Sequence, residues 1–89
     1  KKRWEFSYFQ SSNSTEIDLI IDKPKGKPIL VEIKSFNKFI EDKVTNFSVL
    51  KNDIDHEVAY LLSNDPNERE YKGIRCLHWQ EGLKEIFDL

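Results

Sequence analysis

The sequence predicts a single domain of the α/β class, in which helices cover a mixed β-sheet. Three observations predict it. The first part of the chain carries three runs in which hydrophobic and polar residues alternate, as they do in half-buried strands. A stripe of apolar residues at helical spacing follows, and the last third contains two more strand-like runs before a short apolar helix. The predicted order of elements is therefore β-β-β-α-β-β-α.

The first three predicted strands are joined by tight turns. They span residues 3–9, 16–22 and 28–35. In the first strand the aromatic residues Trp4, Phe6 and Tyr8 recur with a period of two, which favours a strand. The runs SSNS (11–14) and KPKGK (23–27) are typical of turns. Such short connections predict that the three strands are antiparallel neighbours.

Beyond the third strand the apolar period changes from two to between three and four. The apolar residues of this predicted helix are Phe36, Ile40, Val44, Phe47, Leu50 and Ile54. Its start stays open, because residues 36–39 could instead form a loop. Residues 56–63 are mostly apolar, which indicates a strand that is buried on both faces and parallel to one of the first three. A polar loop is predicted over 64–70, a fifth strand over 73–79, and a short helix after it.

Length and composition predict one small globular domain. The chain has 89 residues, of which 38% are hydrophobic and 34% are charged, which excludes a disordered or membrane-spanning chain. The net charge of −2 excludes a strongly basic surface, so any contact with nucleic acid would depend on local patches or on a neighbouring domain. Cys76 is the only cysteine, which favours a reducing, cytoplasmic location. Because the chain starts at Lys1 and lacks methionine, we expect a fragment of a longer protein.

The hairpin formed by the second and third strands carries the clearest chemical signal. Pairing around the five-residue turn sets Ile20 opposite Leu30 and Asp18 opposite Glu32. One face of the hairpin then carries only aliphatic side chains, namely Ile17, Leu19, Ile21, Ile29, Val31 and Ile33. The other face brings two carboxylates together, and directly opposed like charges destabilise a sheet, here by about 1 to 4 kcal/mol at contact distance.

Two partners could offset this repulsion. One is Lys34, which lies two residues after Glu32 and therefore on the same face. The other is a divalent cation, because two carboxylates, a backbone carbonyl and water are ligands that suit Mg²⁺. Such an ion lowers the pKa of a bound water and neutralises charge on a phosphodiester. On the pattern alone an alternative stays open, in which these side chains form the ordinary solvated face of an amphipathic hairpin.

The motif D-x13-E-x-K, formed by Asp18, Glu32 and Lys34, resembles the motif of the PD-(D/E)XK nuclease superfamily. The runs EIDLII, ILVEIKS, HEVAYLLSND and IRCLHWQEGLKEIF resemble the nuclease-like domain at the C-terminus of bacterial and archaeal P-loop ATPases of the AAA+ and DEXX-box-like types. The resemblance extends from Trp4 to Leu89. It implies a restriction endonuclease-like mixed sheet whose N-terminal core helix is absent from this chain. It also implies a larger protein in which ATP binds to a separate domain.

By this resemblance Asp18 and Glu32 are metal ligands together with the carbonyl of Ile33. Lys34 acts on the attacking water, and Glu16 tunes the site. The implied activity is hydrolysis of DNA phosphodiester bonds that depends on Mg²⁺ or Mn²⁺. An inactive nuclease-like module that docks nucleic acid, a protein partner or the ATPase domain stays open as the alternative. The partners expected are DNA, the upstream ATPase domain and a second copy in a homodimer, with no membrane.

Overall fold

The computed structural model describes residues 3–10 and 16–88, so the turn predicted at 11–14 lies outside the described residues. Within these residues one sheet contains six strands. They are Glu5–Gln10 (β1), Glu16–Asp22 (β2), Ile29–Ile33 (β3), Val58–Ser63 (β4), Arg69–Tyr71 (β5) and Ile74–His78 (β6). The spatial order is β1-β2-β3-β4-β6-β5, in which β3, β4 and β6 are parallel and the other pairs are antiparallel. A mixed α/β sheet was predicted, and it is confirmed.

Two helices cover opposite faces of the sheet and create two core layers. Helix α1 (Thr45–Leu50) contributes to a layer formed by Ile17, Leu30, Val44, Phe47, Leu50, Ala59, Leu61, Ile74 and Cys76. Helix α2 (Trp79–Phe87) contributes to a layer formed by Ile21, Ile29, Val31, Tyr60, Leu62, Leu77 and Ile86. Strand β4 is buried on both faces, as its apolar sequence predicted. The single aliphatic face predicted for the hairpin is wrong, because Ile17 packs in the α1 layer and Ile33 is 54% exposed.

The helix predicted within 36–54 is shorter than its apolar spacing suggests, and the alternative of a loop at residues 36–39 is confirmed. Helical structure is confined to α1 and to single 3₁₀ turns on either side of it, at Glu41–Lys43 and Lys51–Asp53. The backbone N–H of Phe39 donates to the buried carboxylate of Asp65 at 2.8 Å, and Asn64 N–H donates to the Phe36 carbonyl at 3.1 Å. The rings of Phe36 and Phe39 still pack against the α1 layer. Their spacing therefore reflects burial of a non-helical segment rather than helix formation.

A short strand lies at the far edge of the sheet, and the sequence did not predict it. Strand β5 begins inside the predicted 64–70 loop and pairs with β6 through a two-residue turn. Both turn residues, Lys72 and Gly73, have positive φ angles of 48° and 83°. This is the turn geometry whose twist matches two antiparallel strands, and glycine adopts it without strain.

A polar network fastens α2 to the sheet. The Tyr60 hydroxyl donates to Glu85 Oε2 at 2.8 Å, and the Arg75 guanidinium donates to both oxygens of the same carboxylate at 2.6 and 2.7 Å. Burial, together with the bond to Glu85, raises the pKa of Tyr60 to about 12. The two bonds from Arg75 lower the pKa of the Glu85 carboxyl, so the pair stays ionised. Neither helix of the described chain has the length and apolar character that crossing a bilayer requires.

Gly82 sets the distance between α2 and β4. A Cβ atom added at this glycine would overlap Leu62 Cδ2 and lie 3.3 Å from Leu62 Cγ. We expect Gly82→Ala to lower the free energy of unfolding by about 1 to 2 kcal/mol, although alanine is the better helix former. Chemical denaturation measures this loss, with the exposed Gln80→Ala on the same helix as control. The double variant Gly82→Ala, Leu62→Ala should lose less free energy of unfolding than the sum of the losses in the two single variants. A loss equal to that sum would contradict the proposed contact.

Candidate active site

A β-bulge in β2 determines where Asp18 lies. The pairing of β1 with β2 runs regularly from Glu5 opposite Asp22 to Ser7 opposite Ile20, then resumes with Phe9 opposite Ile17. Strand β2 therefore has one extra residue within this interval, at 18–19. A bulge of this kind bends a strand and re-aims its side chains. It explains why Ile17 and Ile20 both pack on the α1 side, although strict alternation would place them on opposite faces.

The carboxylate of Asp18 forms a hydrogen bond with the backbone of β3 just beyond the last paired residues of β2 and β3. The predicted register is confirmed where Ile20 lies opposite Leu30, and the paired residues run from Ile21 opposite Ile29 to Leu19 opposite Val31. The predicted pair of Asp18 with Glu32 is not among them, because the ladder ends at Leu19. Just beyond the end of this ladder the backbone N–H of Ile33 donates to Asp18 Oδ2 at 2.9 Å. Because the N–H and C=O of one residue project from the same edge of an extended strand, the Ile33 carbonyl also faces β2.

Glu32 is a buried carboxylate whose two oxygens have different surroundings. The residue is 7% exposed and lies opposite Leu61 of β4. Its Oε2 is 3.2 Å from Lys34 Nζ, whereas its Oε1 is buried and has no hydrogen-bond partner among the described residues. Burial raises the pKa of Glu32 above its usual value, and the charge of Asp18 raises it further, while Lys34 acts in the opposite direction.

Lys34 lies at the carboxyl end of β3, where two clefts meet. Its backbone N–H donates to the Leu62 carbonyl at 2.9 Å, which continues the parallel pairing with β4. The side chain is about one-third exposed, so its ammonium can contact both Glu32 and a ligand. One cleft, of about 510 Å³, lies on the side of Asp42 and Lys43, and the other, of about 390 Å³, lies on the side of Trp79.

The structure brings together the residues that the sequence singled out. Asp18, Glu32 and Lys34 form one cluster with the backbone of Ile33, whereas the side chain of Glu16 lies outside the described residues. No group of three or more His, Cys, Asp and Glu side chains that could hold a metal ion occurs in the described ranges 3–10 and 16–88. The cluster therefore contributes only two carboxylates, those of Asp18 and Glu32.

Sequence reasoning did not predict two features of the site. The bulge has no local sequence signal, because Leu19, Ile20 and Ile21 alternate between the two core layers as in a regular strand that is buried on both faces. The approach of Trp79 to Lys34 has no local signal, since it depends on how the ends of β3 and β6 are placed by the sheet.

A comparison with protein-family models assigns the chain to a family. The family model described as Domain of unknown function (DUF4143) matches residues 1–81 of the 89. The chain belongs to the DUF4143 family. DUF4143 domains are often found C-terminal to ATPases, and the match carries no information about nuclease chemistry. No curated protein and no solved structure matches the chain.

The geometry of this DUF4143 domain predicts opposite results for two substitutions at Asp18. Asparagine retains an oxygen that can accept from Ile33 N–H and removes the repulsion with Glu32. In metal-free buffer Asp18→Asn should therefore be neutral or stabilising. Asp18→Ala removes the acceptor as well and should lower the free energy of unfolding by about 1 to 2 kcal/mol.

Urea denaturation at neutral pH checks both Asp18 variants, with Asp22→Asn on the exposed end of the same strand as control. A large loss in Asp18→Asn would mean that the charge of Asp18 stabilises the fold, contrary to the repulsion argued here.

Proposed function

We propose that the domain is a PD-(D/E)XK-type module that hydrolyses DNA phosphodiester bonds with the aid of Mg²⁺ or Mn²⁺, within a larger ATPase. The observation that carries the proposal is the buried Oε1 atom of Glu32, which has no hydrogen-bond partner among the described residues and belongs to a carboxylate beside Asp18. The order of elements supports a restriction endonuclease-like fold. The β2–β3 hairpin is followed by a helical crossover and by β4, parallel to β3.

The residues of the site fit a hard divalent cation. An unsatisfied buried acceptor costs about 1 to 3 kcal/mol, and more when it is charged. Glu32 Oε1, the Asp18 carboxylate and the Ile33 carbonyl are oxygen ligands, and Mg²⁺ commonly binds to one or two carboxylates while it keeps several waters. When bound, such an ion would supply a water of lowered pKa and neutralise charge on the phosphodiester.

The chain itself would supply orientation and charge. Asp18 is held in place by its bond to Ile33 N–H, and Glu32 is held by burial in the sheet, so both carboxylates are preorganised. The ammonium of Lys34 would donate to the attacking water or to a phosphate oxygen. Such a donor acts most strongly where negative charge develops in the transition state.

Binding of the metal can be tested apart from catalysis. Millimolar Mg²⁺ should shift the amide resonance of Ile33 and the carboxyl resonances of Asp18 and Glu32 in NMR spectra. It should also raise the melting temperature, because a ligand at one hundred times its Kd stabilises a fold by about 2.7 kcal/mol. Glu32→Gln should abolish the response, whereas Glu81→Gln, an exposed glutamate on α2, should retain it. An equal response in both variants would place the metal elsewhere.

Cleavage tests the role of Lys34. We expect Lys34→Ala to lower the rate of DNA cleavage by roughly 10²- to 10³-fold while the fold is retained, because it removes a donor aimed at developing charge. Single-stranded and duplex DNA are incubated with the protein and Mg²⁺, and products are resolved on denaturing gels. Lys25→Ala, in the exposed turn between β2 and β3, is the control. Undiminished cleavage by Lys34→Ala would rule out the assigned role.

One observation favours the second candidate, an inactive module that docks DNA, a protein partner or the ATPase domain. The ion pair between Lys34 and Glu32 already neutralises one buried carboxylate without a metal. A site that has lost its metal could keep this pair as a structural contact. This candidate predicts no spectral response to Mg²⁺ or Mn²⁺ and no cleavage, so the two experiments above separate it from the first.

A further inference from the structure

The carboxyl ends of three neighbouring strands meet at one edge of the sheet. Strands β3, β4 and β6 are parallel neighbours, so their last residues lie side by side. Lys34, Asn64 and Trp79 are the residues that follow these strands. In open α/β sheets, ligands bind in the crevice outside the carboxyl ends of the strands. The cleft of about 390 Å³ that includes all three residues lies in this position.

Large apolar side chains line this cleft and remain in contact with solvent. Trp79 is 42% exposed at the start of α2, and Ile33 is 54% exposed at the end of β3. The indole is 5.7 Å from the ring of His78, which accepts from Gln80 N–H and so caps α2. The backbone of Trp79 is thus positioned by the capped start of α2. An exposed aromatic ring at such a position suits stacking against a planar ligand.

The second cleft, of about 510 Å³, has a different chemical character. It is lined by Lys34, Ser35, Phe36, Asp42, Lys43 and Asn46, with two lysines and one aspartate. Lys34 and Ser35 belong to both clefts. A ligand that passes over Lys34 would therefore meet the apolar side chains of Ile33 and Trp79 on one side and the ammonium group of Lys43 on the other. A nucleotide has this division between its base and its phosphate.

We propose that the cleft at Trp79 holds an unpaired base of single-stranded DNA, stacked on the indole, while the sugar–phosphate backbone passes Lys34 into the second cleft. The choice of DNA as ligand rests on the proposed nuclease function. A base inside a duplex has both faces covered by its neighbours, so it cannot stack on Trp79 unless it leaves the helix. Single-stranded DNA offers free base faces, and aromatic stacking binds them with little sequence preference.

Tryptophan fluorescence provides a direct test without cleavage. Trp4 is the other tryptophan of the chain, so Trp4→Phe leaves Trp79 as the sole indole. Oligothymidylate added in the presence of EDTA should quench the fluorescence of this protein. Labelled oligothymidylate should bind to Trp79→Ala about 5- to 150-fold more weakly than to the unsubstituted protein, as measured by fluorescence anisotropy. Trp79→Phe should lose much less affinity, because phenylalanine also stacks.

Phe6→Ala is the matched control, because Phe6 is a 56% exposed aromatic residue of β1 that lies opposite Ile21 and lines neither cleft. The affinity of this variant for oligothymidylate should be unchanged. Melting temperatures verify that each variant is folded. An absence of quenching, or equal affinities of Trp79→Ala and Phe6→Ala, would overturn the proposal, as would an equal loss of duplex binding in Trp79→Ala. Quenching that persists while metal binding and cleavage are absent would support the base site and overturn the nuclease function alone.

Discussion

The buried carboxylate of Glu32 is the constraint on which the site depends. The sheet removes this group from water, and the neighbouring charge of Asp18 adds repulsion, so both effects disfavour the ionised form. The adjacent Lys34 offsets part of this cost at 3.2 Å. Because charges interact more strongly in a buried setting than in water, a small change in the surroundings of Glu32 has a large effect on its charge.

The bulge in β2 makes the second carboxylate available without breaking the sheet. In a regular strand, Asp18 would continue the alternation and pair directly with Glu32. Because β2 has the extra residue, the Asp18 carboxylate accepts a hydrogen bond from Ile33 N–H, beyond the last residue pair of the β2–β3 ladder. The backbone of β3 is thereby satisfied, and Ile17 moves into the α1 layer. One inserted residue thus places Ile17 in the core and the Asp18 carboxylate at the site.

Local pattern predicted the hairpin and β4 well, because a short turn and a continuous apolar run determine them with little help from distant residues. It overestimated the length of the helix and left the loop at 36–39 open, since Phe36 and Phe39 pack against the α1 layer from a segment that hydrogen-bonds to Asn64 and Asp65 and is not helical. It missed β5, a three-residue edge strand with mostly exposed side chains. The cluster of Asp18, Glu32 and Lys34 was predictable because its members come from one hairpin. The position of Trp79 was not, because it requires the full order of strands.

The ion pair of Lys34 with Glu32 is compatible with metal binding, because it occupies only one of the two oxygens of the carboxylate. Oε2 is within 3.2 Å of the ammonium, and Oε1 is the buried atom without a hydrogen-bond partner among the described residues. Glu32 can therefore hold Lys34 beside the clefts and still offer an oxygen to a cation next to Asp18. A purely structural ion pair needs only the first of these contacts. The buried Oε1 without a hydrogen-bond partner is thus the feature that the structural ion pair leaves unexplained and that the proposed metal would explain.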